Sequence, residues 1–159
     1  MIKVMSQNLI ADSARNRMAR AVELVEASLT GLLSFDPARN FTPKELEPYD
    51  ALSDRFVRAT EASLKFFRSY ERLMFAENSD TLRDLLSRMH KLSLVSSVQL
   101  WVAMRDIRNR IVHDYLPEKL KELNDMIMGE MGAELSSAKD HVLKLDLVKN
   151  GDYSSYAPD

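Results

Sequence analysis

Arg105-Asp106-Ile107-Arg108-Asn109-Arg110-Ile111-Val112-His113-Asp114-Tyr115 is the stretch from which the fold of this chain is read. Extended upstream, Leu94, Val98, Trp101, Arg105, Arg108, Val112 and Tyr115 recur at gaps of four and three, the repeat of an α-helix. Leu100, Met104, Ile107 and Ile111 form a second, apolar stripe beside the first. A single helix, expected from Ser93 to Tyr115, therefore carries a core face and a cationic seam.

Helical geometry limits what the seam can do. Residues five apart on a straight helix point about 140° away from each other at 3.6 residues per turn, so Arg108 and His113 do not share a face. Arg105, Asn109 and His113, each four apart, do. Arg108 joins His113 either by reaching around the helix or where the helix loosens, and Pro117 favours loosening because it disfavours helical geometry at Leu116. The plainer alternative is a solvated polar turn, with His113 well placed at the negative end of the helix dipole.

Working outward, the same spacing recurs along the chain. Met18, Val22, Val25, Leu29 and Leu32 mark a first helix over residues 4–34, with Arg15, Arg17 and Arg20 off its stripe and expected in solvent. Phe35 to Asn40 reads as a connection around Asp36-Pro37. Thr42-Pro43-Lys44-Glu45 has the pattern of a capping box with proline in the first turn, and Pro48 either interrupts that helix or marks a second start. Leu52, Phe56, Ala59, Ser63, Phe66, Tyr70 and Leu73 form its seam, widened by Phe67 and Met74. Aromatics at this spacing are core material rather than a platform for bases.

Asn78-Ser79-Asp80 breaks the pattern and is expected to cap a short helix through Met89, with His90 and Lys91 at its end. Pro117 opens a last helix with Leu120, Leu123, Ile127, Met131, Leu135, Ala138, Val142 and Leu145 on one face. Gly129 and Gly132 lower its helical propensity, so a bend or a close helix contact is expected there. Asn150-Gly151 ends it. With no β pattern and no internal repeat, the expected fold is all-α: an up-and-down bundle of four long helices plus one short helix. It forms one domain over residues 1–149, followed by a polar tail over 150–159.

Composition narrows the function classes. Hydrophobic residues at 45% and charged residues at 29% are those of an ordinary globular chain. The formal charge of −2 argues against a general nucleic-acid coat, so any nucleic acid must be engaged through a local patch. With no cysteine, disulfides, thiolate metal sites and cysteine nucleophiles are excluded. The N-terminal residues lack the apolar run of a signal peptide, and no stretch approaches the roughly 18 apolar residues of a membrane span. A cytoplasmic, membrane-free protein is expected.

There is no glycine-rich phosphate loop, no Gly-x-Ser-x-Gly elbow and no His-Glu-x-x-His pair. His90, His113 and His141 share no metal-ligand spacing, so neither a metal nor another cofactor is expected. Histidine and arginine remain. Imidazole moves protons near neutral pH, and guanidinium holds a phosphate and stabilises charge developing on it. Together they suit metal-free RNA cleavage, in which the neighbouring 2′-hydroxyl is the nucleophile.

Arg108-Asn109, three residues and then His113 resembles the arginine–polar–histidine signature of HEPN domains. His113-Asp114-Tyr115 is similar to the His-x-Tyr ending of the HepT-like toxins in that superfamily. The resemblance covers residues 50–130. It implies a helical bundle that forms a homodimer, with two motifs meeting in one RNase cleft, and a small nucleotidyltransferase antitoxin as partner. That partner transfers AMP to the motif tyrosine, here Tyr115. The residue roles that follow are His113 for proton transfer, Arg108 as phosphate clamp, Asn109 to orient, Tyr115 lining the cleft, and Arg105 as an accessory phosphate contact. Two alternatives stay open: a non-catalytic substrate-binding subunit of a nucleotidyltransferase, and a helical interaction module whose motif only packs a dimer.

Overall fold

The computed structural model describes residues 2–113 and 116–147, and Tyr115 and the 150–159 tail lie outside them. The helices are α1 (Ile2–Leu29), α2 (Pro43–Phe75), α3 (Leu82–Lys91), α4 (Val98–His113), α5 (Pro117–Met126) and α6 (Gly132–Leu143). A π-helical turn, Ile127–Met131, joins α5 to α6 and bends at Gly129. The two glycines thus mark a bend. The π turn hands the Ile127 carbonyl to the N–H of Gly132, and a Cβ at that residue would stand 2.5 Å from the same carbonyl oxygen. Counting α5, the π turn and α6 as one bent element, the described residues make an all-α bundle of four long helices and one short one.

Local chemistry sets most helix ends. At the head of α2 the Thr42 hydroxyl accepts from the Glu45 N–H at 3.3 Å, and the Glu45 carboxylate accepts from the Thr42 N–H at 2.8 Å. This reciprocal cap satisfies two otherwise unpaired donors. α2 then runs straight through Pro48 with no second start. Proline there forfeits one bond, to the Lys44 carbonyl, close to the exposed helix end where an unpaired carbonyl costs little. α2 ends at Ala76, which takes a left-handed φ of 54° and donates its N–H to the Arg72 carbonyl at 3.0 Å.

Two helix starts differ from the sequence expectation. α3 is capped by Thr81, whose hydroxyl accepts from the Asp84 N–H at 3.1 Å, and not by residues 78–80. α4 begins at Val98 and not at Ser93. Ser93 adopts φ 60°, Ser96 turns to a carboxylate on α6, and the Ser97 hydroxyl accepts from the Leu100 N–H at 3.2 Å. Leu94 and Val95 are still buried, so they enter the core from a loop.

Contacts between elements give the antiparallel order. Arg55 on α2 donates to the Leu24 carbonyl at 3.2 Å and to Ser28 at 2.8 Å, while Tyr49, two turns earlier, donates to the Leu33 carbonyl at 2.9 Å. α6 is pinned to α1 by Lys139 with Glu26 at 2.7 Å and by Arg15, which donates to the Leu145 carbonyl at 2.7 Å. Arg15 is therefore an anchor and not a free solvent charge. Met18, Val22 and Val25 of α1, the apolar residues of the α2 seam from Leu52 to Leu73, and Leu123, Ile127, Leu135 and Val142 all enter one buried apolar cluster. No helix among the described residues is long and apolar enough to cross a membrane.

Candidate functional site

The orientation of α4 is fixed from within. Trp101 is 0% exposed, its ring lies edge-on to Phe67 with centroids 5.2 Å apart, and its Nε1–H donates to Glu134 on α6 at 2.8 Å. Glu134 also accepts from the Ser96 N–H at 2.8 Å and the Ser96 hydroxyl at 2.6 Å. With Trp101, Met104 and Ile107 turned into the core, helical periodicity puts Arg105, Arg108 and Asn109 on the outer surface, and all three are exposed. Trp101 itself lies wholly inside the bundle. Its stripe neighbours Arg105, Arg108 and Val112 are the ones left outside.

α2 supplies the opposite wall. Arg108 Nη1 lies 3.0 Å from Glu61 Oε1, an ion pair that spans the two helices with side chains 70% and 46% exposed. A cavity of about 880 Å³ opens on one side of this bridge, lined on α4 by Met104, Arg105, Asp106, Arg108 and Asn109. Val57, Thr60, Glu61, Leu64, Lys65 and Arg68 line it from α2, with Leu82 from α3. Thr60 is 2% exposed, and its hydroxyl has no hydrogen-bond partner among the described residues. A second cavity of about 470 Å³ lies on the other side of the bridge, where Val57, Ile111, Val112, Leu120 and Leu123 meet Asp50 and Asp54. One groove therefore changes from basic to apolar and acidic across the Arg108–Glu61 pair.

Of the residues singled out in the sequence, Arg105, Arg108 and Asn109 come together on the first cavity. His113 is the last residue of α4, exposed, and outside the walls of both cavities. α4 stays α-helical to His113, so Arg108 and His113 of one chain diverge as their spacing requires. Leu116 is extended ahead of Pro117, as a residue before proline should be. Arg110 turns the other way and ties α4 to α5 through Glu122 at 3.0 Å.

Lys65, Arg68 and Glu61 are the members that the motif does not point to. Their signal in the sequence is a polar stripe at gaps of four and three along α2, facing away from the apolar seam. Lys65, Arg68 and Arg105 have no ion-pair partner among the described residues, in contrast to Arg108. The cavity thus gathers four cationic side chains against two carboxylates on a chain of net charge −2. Chemically, such a cluster of cations beside an apolar wall can hold an anion that carries a hydrophobic group. Among the described residues no group of three or more histidine, aspartate or glutamate side chains stands ready to hold a metal.

Fold and site define an all-α bundle with a cationic groove between α2 and α4. Comparison with family models, curated proteins and solved structures gives no significant match.

Proposed function

We propose that this chain is a metal-independent endoribonuclease of the HEPN type, the toxin of a pair whose antitoxin is a nucleotidyltransferase. The observation that carries the reading is the cationic cavity, where Arg105, Arg108 and Asn109 of the motif meet Lys65 and Arg68. Arg108 holds the scissile phosphate and stabilises the charge that builds on it. His113 takes the proton from the 2′-hydroxyl or returns one to the leaving 5′-oxygen. Asn109 orients the substrate, Arg105 adds a phosphate contact, and Tyr115 lines the cleft and accepts AMP from the antitoxin. Because Arg108 and His113 diverge on one helix, the complete site belongs to a homodimer, in which two-fold symmetry brings two motifs to one cleft.

The reading is tested by incubating total RNA with wild type, Arg108→Ala and His113→Ala, with and without chelator, after circular dichroism confirms each fold. Wild type should cleave in chelator. Each substitution should lower the rate by about 10²–10⁴, the usual cost of losing a general base or a charge clamp. Unchanged activity in His113→Ala ends that residue's assignment. A second reading, a non-catalytic substrate-binding subunit of a nucleotidyltransferase, has one observation in its favour: Arg108 is engaged by Glu61 while His113 stands apart from the cavity. It forecasts no cleavage by wild type on any RNA.

A further inference from the structure

We infer that Lys65 and Arg68 of α2 and Arg105 of α4 form a phosphate-binding subsite beside Arg108, built for a nucleotide unit whose base rests on Leu64 and Leu82. That the nucleotide belongs to RNA rests on the reading above; phosphate binding at these cations does not depend on cleavage.

The charges carry the inference. Three cations line one cavity without a carboxylate partner among the described residues, whereas most other arginines have a carboxylate or a carbonyl to hold. Like charges gathered around one opening repel, and an anion seated among them removes that cost. Lys65 and Arg68 stand on one helix face and Arg105 on the facing helix, so a phosphate between them is approached from two sides. Leu64 and Leu82 are only partly buried and give the cavity an apolar wall against which the hydrophobic face of a base packs. The volume, about 880 Å³, falls within the range of small-ligand pockets.

The groove also has a direction. Beyond the Arg108–Glu61 bridge the wall carries Asp50 and Asp54, and Arg58, which lines it along with Arg108, is already paired with Asp54 at 2.9 Å. A phosphate backbone is therefore drawn to the Lys65 side and repelled from the Asp50 side. Glu61 sits at the boundary, its carboxylate where an anion would otherwise contact Arg108. An arriving phosphate must displace it, so Glu61 weakens binding in the free protein.

The test uses fluorescence anisotropy of the full chain with a labelled 2′-O-methyl oligoribonucleotide, which 2′-hydroxyl attack cannot cut, and with AMP and inorganic phosphate as competitors. Wild type should bind. Lys65→Ala/Arg68→Ala should bind about tenfold or more weakly, and its salt slope should fall by about 1.4, at about 0.7 for each cation withdrawn from a single strand. Glu61→Gln should bind several-fold more tightly, a gain that a merely structural role would not produce. AMP competing at concentrations like those of the oligonucleotide makes the ligand a free mononucleotide; AMP competing only far above them makes it an RNA strand. Unchanged binding in Lys65→Ala/Arg68→Ala, or no binding of strand or nucleotide by wild type, overturns the subsite. Binding without cleavage of unmodified RNA keeps the subsite and removes the nuclease reading. Cleavage with binding unaffected by the double substitution does the reverse.

Discussion

Replacing Glu134 by alanine should cost about 3 kcal/mol, and replacing it by glutamine only about 1 kcal/mol. Glu134 is 7% exposed and takes three hydrogen bonds, from Trp101 Nε1, the Ser96 N–H and the Ser96 hydroxyl. Alanine strands the indole N–H inside the core, at about 2 kcal/mol for a donor that loses a charged acceptor. The Ser96 N–H adds about 1 kcal/mol, and the hydroxyl adds little because Ser96 is exposed and its O–H can turn outward. Glutamine keeps one oxygen for the two N–H donors, which both use Oε1, while its amide donates to a rotated Ser96 hydroxyl. What it loses is charge assistance. Urea unfolding followed by the emission of Trp101, the chain's one tryptophan, reads both values directly. The cost also bears on function, since Glu134 ties the head of α4 to α6 and so sets where Arg105 and Arg108 stand. A cost below about 1 kcal/mol for Glu134→Ala, or an equal cost for both substitutions, would refute the reasoning.

Three further outcomes are expected. Thr60→Val should raise stability by about 1 kcal/mol, because it replaces a buried hydroxyl that lacks a partner among the described residues with a methyl of the same shape; a lower melting temperature would mean the hydroxyl is bonded. Ala76→Gly should stabilise by about 0.5–1 kcal/mol by relieving a left-handed φ at the end of α2, and a loss of stability would show that unfolded-state freedom dominates. Glu45 is held below its ordinary value of 4.5 by hydrogen bonds from the Thr42 N–H and hydroxyl and by Arg39. A carboxyl depressed on folding stabilises above its unfolded value and loses that contribution as pH falls through its folded one. The stability difference between wild type and Glu45→Gln should therefore be full near pH 6 and shrink below about pH 4.5; a difference that does not change with pH contradicts this.

Much of the fold is legible in the sequence because local rules decide it. Every residue of the α2 seam from Leu52 to Leu73 is buried, and the Thr42–Glu45 box is present, since spacing and capping act within a few residues. The beginning of α4 is not legible in this way. Leu94 fits the helical repeat, but Ser96 is claimed by Glu134, 38 residues away in sequence, and a local period carries no trace of that partner. Arg15 misleads for the same reason, since the Leu145 carbonyl it holds is 130 residues away. The candidate site divides similarly. Grouping Arg105 with Asn109 needs only helical spacing, whereas the opposing Lys65, Arg68 and Glu61 become neighbours only once α2 packs against α4. Residue spacing also separates Arg108 from His113, and a straight α4 keeps them apart.

The most direct test of the central claim is the chemistry of the cut ends. A defined RNA that wild type cleaves should be compared, by mass spectrometry of its products, with the same RNA carrying one 2′-deoxynucleotide immediately 5′ of the cut. Attack by the 2′-hydroxyl, promoted by His113 and Arg108, predicts a 2′,3′-cyclic phosphate facing a 5′-hydroxyl, and no cut at that position in the deoxy-substituted strand. A 5′-phosphate product, or equal cleavage of the deoxy strand, would contradict the proposed mechanism.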